Sequence, residues 1–313
     1  MIYIYTICYN TPKFVKYQYL LLKKFIENDF KYIVYNNTCT NTKDGKIYIS
    51  EDDKYNDNEL NLICKEYNIE NIKIPSELYG VPFENSLYYS NNDPSTRAGI
   101  SIDYATKDLL NKYDKNNIFL LLDNDLFLLN NFNIVEFMKN ISLSSRLQYR
   151  KEEKLVKYIN NHIVIFNTNK IDNNLFDRYF SFKPDIIEEN VCDCGANTYY
   201  IIKDLNDYSY INWYNKLLSN IGYESSLYGL DTFSYDDFNI NFYNSLNINL
   251  KNYLDNEKNI LGVSYNLSEI IKSDNNDTIF LHLKAGTNWN NIDLLKKNNR
   301  ENNLFNFLNI LIK

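Results

Sequence analysis

Two aspartates bracket one asparagine at Asp123-Asn124-Asp125, with the apolar run Phe119-Leu120-Leu121-Leu122 before them and Leu126-Phe127-Leu128-Leu129 after. Apolar sequence on both sides marks an interior segment. Two carboxylates held there repel each other, and each ion loses hydration worth several kcal/mol. A divalent cation removes both penalties. Oxygen ligands suit Mg²⁺ or Mn²⁺, and either ion bridges a diphosphate and stabilises it as it leaves a sugar carbon. The same spacing also closes strands as an Asx-type turn, its plainer use. Position directly after a central strand is what favours the metal.

The elements that must position this pair alternate along residues 1–125. Ile2-Tyr3-Ile4-Tyr5-Thr6-Ile7-Cys8-Tyr9 is rich in β-branched and aromatic residues and reads as a first strand. Thr11-Pro12 then reads as an N-cap with proline at the first helical position, and Tyr17, Leu21 and Phe25 follow at helical spacing. Phe30–Tyr35 is a second strand, 58–67 a helix, Asn71–Ile74 a short strand, and Arg97–Tyr113 a helix with Ile102, Ala105 and Leu109 along one side. Ile118–Leu122 is a continuous apolar run, as expected of a central parallel strand. Strands alternating with helices imply a parallel sheet, with ligands at the carboxyl ends of its strands. Those ends are Thr6 to Asn10, Asn36-Asn37 and Asp123 to Asp125. The second half is less regular. His162–Asn167 and Thr278–Leu283 read as strands, Asp193–Ile202 as a helix, Leu304–Lys313 as a final helix, and 204–275 stays unassigned. The fold class is therefore α/β, a mainly parallel sheet flanked by helices with a less regular C-terminal half. One domain over 1–313 is expected, with a more regular first half over 1–130 and a less regular second half over 131–313.

A net charge of -7 argues against a nucleic-acid partner, which needs a basic footprint. No apolar run approaches the ~20 residues of a membrane span. The N-terminus lacks the basic region of a signal peptide, and five cysteines are an odd count for a disulfide framework. A reducing, cytoplasmic setting is expected. Cys192 and Cys194 lack two further ligands at readable spacing for structural zinc.

Four segments together resemble glycosyltransferases of the GT-A type, in particular the glycosyltransferase-like proteins of large DNA viruses and phages, and more loosely glycosyltransferase family 8. They are Ile7–Phe14, Asp93–Ala105, Phe119–Leu129 and Phe280–Trp289. Their order and spacing carry the resemblance; Asn124 stands where the family often has Ser or Ala, and Asn36-Asn37 where many members have a carboxylate. The resemblance implies a nucleotide-sugar donor, UDP-linked and hexosyl, a Mn²⁺ or Mg²⁺ cofactor, and an acceptor it does not name, with 1–130 the nucleotide-binding half and 131–313 an acceptor half that returns a metal-ligand strand. It places Thr6, Cys8, Tyr9 and Asn10 around base and ribose, Asn124 near the ribose, and Asp123 and Asp125 on the metal. Arg97 would meet the phosphates at a helix start, where backbone also favours anions; Asp103 would contact the donor or face solvent. His282, between Leu281 and Leu283, would be a core histidine by itself, but the Lys284-Ala285-Gly286-Thr287-Asn288-Trp289 that follows makes it a metal ligand. An imidazole added to oxygens favours Mn²⁺. Lys284 would meet the diphosphate as a point charge, and Gly286 would bring backbone N–H groups to a phosphate. Asp193, followed by Cys194-Gly195, resembles the acidic segment that faces sugar and acceptor. It would bind hydroxyls or act as a general base, unless it only caps a helix. His162 reads as a core or surface residue.

Two other functions compete. A nucleotidyltransferase would show a Gly-rich basic loop after the first strand, and Tyr9–Phe14 contains no glycine. A non-catalytic sugar-binding module on a degenerate transferase fold would not need Asp123, Asp125 and His282 together.

Overall fold

The computed structural model describes residues 1–38, 42–43, 46–47, 49–79, 94–113, 116–151, 154–171, 173–204, 231–234, 240–262, 268–272, 278–283 and 293–313. In chain order the elements are β1 (Ile2–Cys8), α1 (Pro12–Phe25), β2 (Phe30–Asn36), β3 (Thr42–Lys43), β4 (Lys46–Ile47), α2 (Glu51–Glu66), β5 (Glu70–Lys73), α3 (Pro94–Lys112), β6 (Ile118–Asp123) and β7 (Leu126–Leu128). They continue as α4 (Ile134–Phe137), β8 (Leu143–Lys151), β9 (Leu155–Asn167), α5 (Asn173–Tyr179), β10 (Asp185–Ile187), β11 (Asn190–Cys192), α6 (Thr198–Asp204), β12 (Asp231–Ser234), α7 (Ile240–Ser245), α8 (Ile248–Leu261), β13 (Glu269–Lys272), β14 (Thr278–His282) and α9 (Leu294–Ile312). The molecule is mixed α/β, with a mainly parallel central sheet flanked by helices.

That sheet has the order β5-β2-β1-β6-β9-β8. The first four strands run parallel, while β9 is antiparallel to both β6 and β8. In register, Cys8 lies beside Asn36 and Ile7 beside Asp123, so the polar strand ends named above share one edge. A second, antiparallel sheet has the order β12-β13-β14-β7. It was not legible as a sheet, because its strands are short and come from distant parts of the chain. The chain crosses from the first sheet to the second at Asp123–Asp125, between β6 and β7.

Helix α1 lies between the two cores. Val15 and Leu22 belong to the main core, while Phe14 and Leu21 join the second with Phe127, Ile270, Leu281 and the α9 residues Leu304, Phe307 and Leu308. The C-terminal run is thus a packed helix, as its spacing implies. Helix α2 begins earlier than expected because Ser50 and Asp53 form a capping box: the Ser50 hydroxyl accepts from the Asp53 N–H at 3.0 Å, and Asp53 accepts from the Ser50 N–H at 2.8 Å. A helix opening at Asp193 does not form; α6 starts at Thr198. Gly195, at φ +100°, sits so close to β9 that a Cβ would meet the Ile159 carbonyl oxygen at 2.1 Å. The glycine serves packing on β9.

Asp103 does not face solvent. It is buried, and its carboxylate accepts from the Phe182 N–H at 2.6 Å and the Ser181 hydroxyl at 2.7 Å, which ties α3 to that loop. Burial raises its pKa, and the two donors work against that rise.

The second sheet is buttressed by a buried ion pair. Glu257 of α8 accepts from the Arg300 Nε–H of α9 at 2.6 Å and from the N–H and hydroxyl of Ser268 at 2.9 and 2.8 Å. Ser268 directly precedes β13. Breaking such a pair on one side leaves a buried charge, which costs about 3–5 kcal/mol. Arg300→Leu should therefore lower the unfolding free energy by about that amount in urea titrations. A midpoint equal to that of the parent would show that α9 does not brace β13.

Candidate active site

The turn at Asp123–Asp125 is held from below by Gln18 of α1, which is fully buried. Its side-chain amide donates to the carbonyls of Asp123 (2.8 Å) and Leu126 (2.7 Å), one on each side of the turn, while its own oxygen accepts from the Tyr32 hydroxyl at 2.6 Å. Asn124 also points back toward α1. Its amide donates to the Thr11 hydroxyl, to the Thr11 carbonyl at 3.3 Å and to the Cys8 sulfur at 3.7 Å. With both neighbours pinned, the two aspartates face the cavity.

His282 reaches them through strand pairing. β14 runs antiparallel to β7 with His282 beside Leu126, and the Leu283 N–H donates to the Asp125 carbonyl at 2.9 Å. On its other side β14 pairs with β13, which sets Glu269 beside His282. The Nδ1 of His282 lies 3.0 Å from a Glu269 oxygen, and its Nε2 lies 3.4 Å from Asp125 Oδ1. Burial alone would disfavour the imidazolium, but the Asp125 charge and the bonds to Asp125 and Glu269 prevail and push the pKa to about 10. Asp123 also has its pKa moved up, which here disfavours the charged form. Surrounded by protein and repelled by Asp125, it is raised to about 7, against the partial relief of His282 and of the Asn124 N–H at 2.9 Å.

A histidine absent from the expected site completes the cluster. The register between β6 and β9 pairs Leu122 with Ile163, and its next step sets Asp123 against His162. His162 Nε2 is 4.0 Å from Asp123 Oδ2, and its ring centroid is 4.3 Å from that of His282. One ligand atom each from Asp123, His162 and His282 lie within 4.8 Å of one another. The donor set of carboxylate oxygen and imidazole nitrogen suits a divalent first-row ion. A cation with bonds of about 2.1 Å spans ligand atoms up to about 4.2 Å apart, so the centre fits a metal with small side-chain adjustments. Glu269, on the far nitrogen of His282, is placed as the carboxylate that orients a ligating histidine.

A cavity of about 570 Å³ opens above this floor. Its walls include Tyr9, Thr11, Asn37, Arg97, Gln148 and Asp193. Arg97 lies in the first turn of α3 with its guanidinium 4.5 Å from the centre of the Tyr79 ring; burial lowers its pKa. Asp193 accepts from the Cys194 N–H at 2.6 Å, and its own N–H donates to the Tyr158 hydroxyl at 3.1 Å. It does not cap α6.

Several expected contacts lie elsewhere. Strand alternation turns Ile7 and Tyr9 to the cavity and leaves Thr6 and Cys8 fully buried on the other side of β1. Burial pushes the Cys8 thiol up to about 12. Asn10, at φ 53°, donates to Asp53 at 2.9 Å and lines a neighbouring hollow. Asn36 donates to Asp57 at 2.7 Å, which binds β2 to α2. Asn37 stays on the cavity wall, donating to Ser101 at 3.0 Å and accepting from Tyr79 at 2.7 Å. Lys284 and Gly286 lie outside the described residues.

No family model and no curated relative matches the sequence. Among solved structures, partial likeness extends to the galactosyltransferase LgtC in complex with donor and acceptor sugar analogues, at 14% identity and TM-score 0.31 over 54% of this chain and 59% of that one. Mouse xyloside xylosyltransferase 1 in its apo form matches at 10% identity and TM-score 0.35 over 66% of this chain and 82% of its own. The bifunctional glycosyltransferase WbbM matches at 11% identity and TM-score 0.30 over 56% and 33%. The chain thus spans less than two thirds of LgtC. With likeness of this extent, the function rests on the geometry of the site itself. Among the described residues, no helix is long and apolar enough to cross a membrane.

The Gln18 clamp is open to test. Gln18→Leu removes two donors and leaves buried carbonyls unpaired, which should cost about 1–3 kcal/mol for each group. Metal affinity should fall about 10–100-fold, the usual loss for an outer partner of a metal site. Equal Mn²⁺ affinity in calorimetry of parent and variant would show that the turn holds its shape without the clamp.

Proposed function

We propose that this chain is a metal-dependent glycosyltransferase of the GT-A type that moves a hexose from a nucleoside-diphosphate sugar, UDP-linked by resemblance, to an acceptor hydroxyl. The observation that carries this reading is the meeting of Asp123, Asp125 and His282 at the floor of a cavity. That cavity lies at the carboxyl edge of a parallel sheet and bears Arg97 and Asp193 on its walls. Its volume of about 570 Å³ falls within the common range for small-molecule sites.

A divalent ion bound by Asp123, Asp125 and His282, Mn²⁺ before Mg²⁺, would supply positive charge to the departing diphosphate. The chain's own residues divide the remaining work. Arg97, at a helix start, would draw in phosphate oxygens and orient them. Tyr9, on the same wall as Asn37, would give the base an aromatic face. Asp193 would hold sugar or acceptor hydroxyls, or take the acceptor proton if the reaction inverts the anomeric carbon. Lys284 and Gly286 enter from the sequence motif, as further contacts to the diphosphate.

The test is a panel of nucleotide sugars with Mn²⁺, read as release of nucleoside diphosphate with and without acceptors. A nucleotidyltransferase would instead release pyrophosphate from a nucleoside triphosphate offered with a sugar phosphate, and a binding module would release nothing; either result overturns the proposal. EDTA should abolish nucleoside-diphosphate binding, and undiminished affinity would remove the metal from the reading. Asp193→Asn should lower transfer by roughly 10²–10⁴-fold with nucleotide binding intact. Near-parental turnover in that variant would move the acid–base role to the run Asp185, Glu188 and Glu189.

A further inference from the structure

His162 belongs to no motif in the sequence, yet β9 delivers it to the floor of the cavity, with about a quarter of its side chain (26%) exposed. Its Nε2 stands 4.0 Å from Asp123 Oδ2. That is too long for a hydrogen bond. Two ligands bonded to one cation at about 2.1 Å each lie at most about 4.2 Å apart, so one ion can reach both groups after a small side-chain adjustment. The two imidazoles lie side by side, rings tilted by 45°, and both turn Nε2 toward the aspartate turn: His162 toward Asp123 and His282 toward Asp125. Glu269 takes the opposite nitrogen of His282 and so keeps Nε2 facing inward.

We infer that His162 is a metal ligand, so that the centre is built on Asp123, His162 and His282 with Asp125 beside it. Two imidazoles among the donors shift preference away from Mg²⁺, which favours an all-oxygen shell, and toward first-row transition ions. The intrinsic affinity order becomes Co²⁺ above Mn²⁺ above Mg²⁺. This inference rests on reading Asp123 and His282 as ligands, but not on which reaction follows.

Metal binding to the full chain without nucleotide tests it. Calorimetry with Co²⁺, Mn²⁺ and Mg²⁺ would compare the parent with His162→Ala, His162→Asn and His282→Ala, each checked for folding by its melt in EDTA. We expect the stated affinity order in the parent and a loss of Co²⁺ affinity beyond about 100-fold in His162→Ala, more than an outer partner costs. Pulsed EPR of the Mn²⁺-loaded parent should show coupling to two imidazole nitrogens, a readout that does not depend on any variant folding. Unchanged Co²⁺ affinity in a folded His162→Ala, or a single imidazole nitrogen in the parent, overturns the assignment. If His282→Ala loses metal while His162→Ala keeps it, only the His162 role falls and the glycosyltransferase reading stands. If the parent binds none of the three ions, both fall together. Metal bound through both histidines, with no release of nucleoside diphosphate from any sugar donor, sinks the proposed reaction and leaves this centre in place.

Discussion

One buried amide holds the point on which the rest of the molecule turns. Gln18 donates to the carbonyls of Asp123 and Leu126, so it grips the chain just before and just after it leaves the parallel sheet for the antiparallel one. Asp123 ends β6 and Leu126 opens β7, and a buried carbonyl left there without a donor is costly. The side chain of one helix answers both carbonyls at once. Tyr32 in turn fixes the amide from β2, so the orientation of the turn is set from two elements of the main core. The aspartates are therefore presented by a rigid scaffold and not by a loop.

The electrostatics of the floor follow from that rigidity. Asp125 and Glu269 flank His282 and stabilise its imidazolium form. The positive charge of His282 relieves Asp123 only in part, which is why that carboxyl is raised to about 7. A site with surplus negative charge and two inward-facing imidazoles could accept a cation. The same surplus would make it a poor host for an anionic donor unless a metal arrives first or together with it.

Support for His282 comes from far away in the chain. Arg300 holds Glu257, Glu257 holds Ser268, and Ser268 leads into Glu269, the residue that orients His282. The C-terminal helices therefore do more than cover the second sheet. They hold the hydrogen-bond partner of a candidate ligand in place, through groups that are almost wholly buried.

Much of this molecule was legible in its residues alone. Strands β1, β2 and β6 and helices α1 and α3 follow from local periodicity and turn chemistry, which act over a few residues and leave a local trace. The clustering of Tyr9, Asn37 and Asp123 at one edge followed from parallel order, because parallel strands bring together the residues that come after each apolar run. His162 was missed for the complementary reason. β9 is antiparallel to β6, and an antiparallel neighbour brings to that edge the residue that precedes its apolar run. Gln18, between Tyr17 and Tyr19, looks like one polar position on a helix, and only the seating of α1 against the turn makes it a buried clamp. Thr6 and Cys8 looked like pocket residues because they end a strand, but the alternation of side chains sends them to the other face. Glu269 joins the site only through the pairing of β13 with β14, and cross-strand partners distant in sequence share no local pattern. Sequence thus determined which segments could form the sheet and where the turn Asp123–Asp125 would lie. Tertiary pairing decided which side chains met there, because strand direction and register are properties of the assembled sheet.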